Sequence, residues 1–146
     1  MTAPVFVDTN VLVYSRDSRV RAKQQRAHEW LGFLWETRRG RISRQVLQEY
    51  YVTVTRKLKP GLPPEEARAD VRALFHWLGP IDGASLMEIS WDLQDRFSLS
   101  FWDALIVGAA RHLDCRFLLT EDLSSGQDLD GLEVISPFER SPSELE

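Results

Sequence analysis

The stretch 117-FLLTEDLSSGQ-127 is apolar for three residues, then breaks into an acid pair and a polar, glycine-containing turn. A short run that is apolar without alternation suits a parallel strand covered on both faces, not half of an exposed hairpin. Three other runs read as strands: 4-PVFVD-8, the weaker 41-RIS-43, and 132-LEVIS-136. The first of them also stops at an acid, Asp8. Ligands of open α/β sheets gather outside the carboxyl ends of the strands. If the strands ending at Asp8 and before Asp122 are neighbours, one end of the sheet carries both acids.

Helical patterns fill the intervals between these runs. Residues 20 to 38 place Val20, Ala27, Leu31, Leu34 and Trp35 near one face, and residues 44 to 58 do the same with Val46, Leu47, Tyr50, Tyr51, Val54 and Leu58. After the punctuation 59-KPGLPP-64, Pro63 and Pro64 suit a helix start. That helix is expected to bury Val71, Leu74, Phe75 and Leu78 before 79-GP-80 ends it. Two more helices are predicted over 83–97 and over 100-SFWDALIVGAARHL-113. Helices alternating with buried strands predict an α/β fold: a three-layer α/β/α sandwich around a small, mainly parallel sheet of four to five strands.

Bulk properties bound the function. The 146 residues are enough for one domain with a proper core, 43% are hydrophobic and 27% charged, and the net charge is −4. That balance argues against a non-specific nucleic-acid coat, although bound cations would alter the local field at a carboxylate cluster. No run of 18 apolar residues is present to span a membrane, and the N-terminal stretch lacks a basic leader, so a cytoplasmic protein is expected. The single cysteine, Cys115, beside an apolar run, reads as a buried structural thiol. His28, His76 and His112 form no metal-ligand spacing, and neither a GxSxG elbow nor a Gly-rich phosphate loop occurs.

Four acids stand out, each with a plainer explanation beside it. Asp8, followed by Thr9 and Asn10, either builds a site or caps the next turn. Glu49 sits at the boundary of a helix's apolar face, where a solvated acid is ordinary. Asp103 stands three residues after Ser100, the spacing of a capping box, yet also in a first turn that favours anions. Asp122 leaves the strand that ends at Thr120, with Ser124, Ser125 and Gly126 supplying a flexible turn. Like charges gathered this way raise one another's pKa values, and oxygen-only donors favour Mg²⁺ or Mn²⁺ over zinc.

The ordered set 6-FVDTNVLVYS-15, 43-SRQVLQEYY-51, 98-SLSFWDALIVGAA-110 and 117-FLLTEDLSSGQDLDGLEVISPF-138 resembles the PIN domain, specifically the VapC-type toxins of bacterial toxin–antitoxin pairs. The resemblance implies a single PIN-like nuclease domain over 1–139 with a polar tail at 140–146. It matches Asp8, Glu49, Asp103 and Asp122 to an acidic site binding Mg²⁺ (or Mn²⁺), with polar support from Thr9, Asn10, Ser98 and Thr120. It implies hydrolysis of RNA, single-stranded or looped, by a homodimer restrained by a cognate antitoxin. Arg16, Arg19, Arg21, Lys23, Arg44, Arg56 and Lys57 are candidate phosphate contacts; Trp30, Trp35, Tyr50 and Tyr51 belong either to the core or to a groove. Gly108, where alanine or a larger residue is commoner, costs about 1 kcal/mol of helix propensity unless close packing requires it. Two other readings remain open: a PIN nuclease of RNA or DNA processing, and a PIN-like module that binds RNA or protein without cutting.

Overall fold

A computed structural model describes residues 3–145. Four parallel strands, β1 (Val5–Val7), β2 (Gly40–Arg41), β3 (Phe117–Leu119) and β5 (Leu132–Ile135), are joined by a short antiparallel β4 (Asp128–Leu129). Their order across the sheet is β2-β1-β3-β5-β4. Val5, Phe6 and Val7 pair in register with Phe117, Leu118 and Leu119, so Asp8 and the residues after Leu119 leave the sheet side by side. The neighbour relation that the two acids required is therefore present. Every residue of β1 is fully buried, as a continuously apolar parallel strand demands.

The helices are α1 (Thr9–Tyr14), α2 (Arg21–Thr37), α3 (Arg44–Val52), α4 (Pro64–Leu74), α5 (Gly83–Phe97) and α6 (Phe101–His112). With the sheet they complete the expected α/β sandwich. Short 3₁₀ turns follow α4 at Phe75–Trp77 and close the described chain at Pro142–Leu145. Residues 140–145 lie back on the domain: the Trp30 indole donates to the carbonyls of Pro137 and Arg140, and the Arg39 guanidinium donates to that of Leu145.

Several expectations are corrected by packing. On α2 the buried residues are Ala27, Trp30 and Leu34, while Val20 and Trp35 are exposed. The large Trp30 indole sets which face turns inward, and Trp35, one position past Leu34, rotates out. Phe75 and Leu78 are likewise exposed; Trp77 is the buried residue between them, because the chain tightens into the 3₁₀ turn there. Trp77 lies against Gly40, where an added Cβ would stand 2.5 Å from the ring. Beside it Leu78 bridges to Ile42, and the Ile42 N–H donates to the Trp77 carbonyl.

The helix predicted over 44–58 ends at Val52 and continues as a π-helical turn over Thr53–Lys57. The β-branched run 52-VTVT-55 tolerates regular helix poorly, and the Thr55 hydroxyl bonds back to the Tyr51 carbonyl at 2.7 Å. Close packing explains Gly108: an added Cβ would lie 2.7 Å from the Ser90 hydroxyl on α5. Trp30 and Tyr50 belong to the core, and Cys115 is buried as expected.

Candidate active site

A cleft of about 740 Å³ opens at the carboxyl end of β1 and β3. Asp8, Thr9, Asn10, Glu49, Asp103 and Asp122 all line it. Elements far apart in sequence deliver them: the end of β1, the start of α1, the solvent boundary of α3, the first turn of α6 and the loop after β3.

Asp8 both caps α1 and lines the cleft. Its carboxylate accepts from the Thr9 N–H at 2.7 Å, starting α1, and from the Thr120 hydroxyl at 2.8 Å. Burial, reinforced by Asp122 and Glu49, pushes its pKa up to about 6, although the bonds from Thr120 and Thr9 pull the other way. Asn10 ties the two strand-end acids together: its amide nitrogen donates to the Thr120 hydroxyl at 3.0 Å and to Asp122 at 3.1 Å, with a longer contact to Asp8 at 3.4 Å. The Thr9 hydroxyl reaches Glu49 at 2.8 Å. Thr120 is itself fully buried and also accepts the Asp122 N–H at 3.0 Å. Three of the four polar supports thus hold the acids directly.

The fourth does not. Ser98 is the C-cap of α5, at a positive φ of 54°, and lies outside the cleft lining. Ser100 caps α6, accepting the Asp103 N–H at 3.1 Å. Only that half of a capping box is made. Among the described residues the Asp103 carboxylate accepts no hydrogen bond, which leaves it free toward the cleft.

Nearby, Glu121 also lines the cleft, but its carboxylate is engaged by Tyr14 of α1 and Lys23 of α2. It accepts from the Tyr14 hydroxyl and pairs with Lys23 at 2.8 Å, the ammonium lying 4.9 Å from the Tyr14 and Phe138 ring centres. Burial alone would raise the Glu121 carboxyl, yet Lys23 and Tyr14 together hold it below its usual range. Its backbone N–H meets the Asn10 side chain at 3.3 Å, so this clasp also steadies the loop bearing Asp122. Nothing in the local sequence pattern singles out Tyr14. The acid pair 121-ED-122 was the available signal that one of the two carboxylates serves as a fastening.

Of the candidate cations, Arg19 and Lys57 line the cleft. Arg16 is engaged by Asp70 and Glu66, Lys23 by Glu121, and Arg19 by Asp17. Arg21, Arg44 and Arg56 stand outside the lining, as do all three histidines.

Whether this donor set suits a divalent cation can be judged from its chemistry and its spacing. All four acids offer carboxylate oxygen, and among the described residues none of the four takes part in an ion pair. Oxygen donors left without a counter-charge fit Mg²⁺ or Mn²⁺. In spacing the acids are looser: among the described residues no group of three or more His, Cys, Asp or Glu side chains is drawn close enough to hold a metal. The Asn10 amide bridges Asp8 and Asp122, and the Thr9 hydroxyl meets Glu49.

A PIN-domain family model matches residues 5–124, and the chain belongs to that family. Its fold resembles solved toxin–antitoxin complexes. One is a complex from Klebsiella pneumoniae, at 20% identity and TM-score 0.61, covering 91% of this chain and 97% of that one. Another is VapBC2 from Rickettsia felis bound to a promoter DNA fragment, at 18% identity and TM-score 0.59, covering 89% and 96%. A third is DNA-bound VapBC from Salmonella typhimurium, at 18% identity and TM-score 0.62, covering 92% and 97%. No curated protein matches the chain. Among the described residues no helix is long and apolar enough to cross a membrane.

Proposed function

We propose that this PIN-domain protein is a Mg²⁺- or Mn²⁺-dependent endoribonuclease and the toxin of a toxin–antitoxin pair. The observation that carries this reading is the cleft: Asp8, Glu49, Asp103 and Asp122 line it together and no cation of the described residues is paired with any of them. Burying the Asp8 carboxylate without a counter-charge is costly, and a site that binds a divalent cation is the ordinary reason to retain such a set. A cation held by these carboxylates would lower the pKa of an attacking water and neutralise charge on the scissile phosphate.

The chain's own groups supply position. Asp8 is fixed from both sides by Thr9 and Thr120, and with a pKa near 6 it is mostly ionised at pH 7. The Asp103 carboxylate, which accepts no hydrogen bond among the described residues, projects from the first turn of α6. Glu49 and Asp122 are held by Thr9 and Asn10 and complete the donor set. Hydrolysis adds water across the P–O3′ bond, giving 5′-phosphate and 3′-hydroxyl ends without a covalent enzyme intermediate.

Likeness to toxin–antitoxin complexes supports an antitoxin as the restraining partner; the family resemblance implies a homodimer as the working form, with the cytoplasm as the setting. The test is cleavage of a panel of structured RNAs by antitoxin-free protein, with Mg²⁺ or Mn²⁺ against EDTA. Metal-dependent cutting lost in Asp8→Asn and Asp103→Asn is the expected result. Cutting retained by both variants refutes the site; no cutting by folded, metal-supplied protein favours a binding module.

A further inference from the structure

Carboxylates can place a phosphate through a cation, but they offer no surface to a base. Two aromatic side chains line the cleft among the described residues: Tyr14, engaged by Glu121, Lys23 and Phe138, and Trp102. Trp102 precedes Asp103 on the first turn of α6, lines the same cleft, and is 65% exposed, more than any other large apolar side chain among the described residues. An indole left so far in water gives up most of its burial energy, and the Trp102 ring makes an edge contact with Phe101 at 5.5 Å between centres. Also lining the cleft, at the end of the π-helical turn, is Lys57, whose ammonium has no ion pair among the described residues. Exposed Val52 lies on the helix just before that turn.

We infer that the Trp102 indole is the stacking platform for an unpaired base beside the scissile phosphate, with Lys57 holding a phosphate of the same strand. This deepens the nuclease reading and rests on it. An aromatic face plus a cation tracking the backbone is the arrangement that binds single-stranded nucleic acid. Bases inside a duplex have both faces covered by their neighbours and cannot use it. Trp102 therefore selects loops and single strands without reading a hydrogen-bond pattern: all four bases are accepted, with purines, which offer the larger ring surface, favoured. Because it stands one residue from Asp103, a stacked base also fixes where the backbone crosses the acids.

The experiment is a cycle between protein and RNA. Cleavage sites are first mapped on a structured RNA with wild-type protein in Mn²⁺. The same RNA is then made with an abasic residue on either side of the cut. Trp102→Ala is expected to lower kcat/KM about five- to hundredfold, the range that one stacked base commands. Trp102→Phe is expected to keep most of the rate. One abasic RNA should reduce the wild type to the level of Trp102→Ala and cost that variant nothing further. Lys57→Ala should lower kcat/KM on intact and abasic RNA alike.

Full activity of Trp102→Ala overturns the inference while leaving the nuclease reading intact, as do losses that simply add in the cycle. Unchanged RNA kinetics with weakened capture of the antitoxin assigns Trp102 to that partner instead, and also overturns it. If wild-type protein neither cuts nor binds any RNA, the nuclease reading itself fails and takes this inference with it. At this exposure the Trp102 substitutions remove little packing, and matched thermal unfolding of Trp102→Ala and wild type verifies that the variant folds.

Discussion

Replacing Asp8 with asparagine should make the metal-free protein more stable while destroying its activity. Asp8 is 8% exposed, and its pKa stands at about 6 against an ordinary 3.8. That gap corresponds to about 3 kcal/mol by which charging Asp8 opposes folding. Asparagine removes the charge and keeps an acceptor for the Thr9 N–H, but it cannot satisfy the Thr120 hydroxyl in the same way, which costs about 1 kcal/mol. The net gain is about 1–2 kcal/mol at pH 7, or about 3–6 °C in Tm for a domain of this size. Between pH 4 and 6 the native carboxyl holds a proton that the unfolded chain has released, so the wild type loses stability as pH rises through this window. Below pH 4 both states are protonated and the advantage of the variant disappears. Thermal unfolding in EDTA from pH 4 to 7.5 measures the gap directly. Added Mn²⁺ should then reverse the order, since a ligand at 100 times its Kd stabilises the wild type by about 2.7 kcal/mol and the variant hardly at all. A variant less stable than wild type at pH 7, by an amount that pH does not change, would refute the claim that charge at Asp8 is held against its preference.

Asp103→Ala should leave Tm within about 1 kcal/mol equivalent, because its carboxylate makes no hydrogen bond, yet lower RNA cleavage at least about a hundredfold; parallel unfolding and cleavage assays decide. Gly108→Ala should cost about 1–3 kcal/mol in urea unfolding, since the new methyl meets the Ser90 hydroxyl, whereas Ser90→Ala removes a buried hydroxyl without a partner and should be neutral or stabilising. Tyr50→Phe should cost about 1–2 kcal/mol, because the phenol donates to Asp70 beside the two-pronged Arg16–Asp70 pair; urea midpoints test it. Burial pushes the Cys115 thiol up to about 12, so alkylation by iodoacetamide at pH 8 should be detected by mass spectrometry only after unfolding.

What the sequence discloses depends on how local the cause is. Asp8 is legible because an apolar run stops at it, and Asp122 because another does; their pairing needs only that the two strands be adjacent, which their common pattern favours. Glu49 is not legible from its own helix, since an acid at the border of an apolar face is ordinary, and only the family resemblance raises it. The helix α1 is hidden because 9-TNVLVY-14 extends the apolar strand before it, and six residues are too few to display a helical period. The β4 strand is two residues long, and its signal was the 130-DG-131 dipeptide at a hairpin turn. Trp30 and Trp35 compete for the inner face of α2, and only the carbonyls of Pro137 and Arg140, more than a hundred residues away, select Trp30. The Tyr14–Glu121–Lys23 clasp is equally nonlocal. Charge balance at the cleft is the least legible of all, because the absence of a paired cation is a property of the assembled surface.

Sheets with free margins invite pairing with other chains, which is a common route to aggregation. At one margin of this sheet β2 is only two residues long; Ile42 just beyond it is already occupied by Leu78, and the Trp77 indole lies over Gly40. At the other margin stands β4, also two residues long and turned antiparallel to its neighbour. Neither border presents the long, flat template that a foreign strand would need. Strand-edge pairing between copies of this chain is therefore disfavoured, and self-association is expected to use helical surfaces instead.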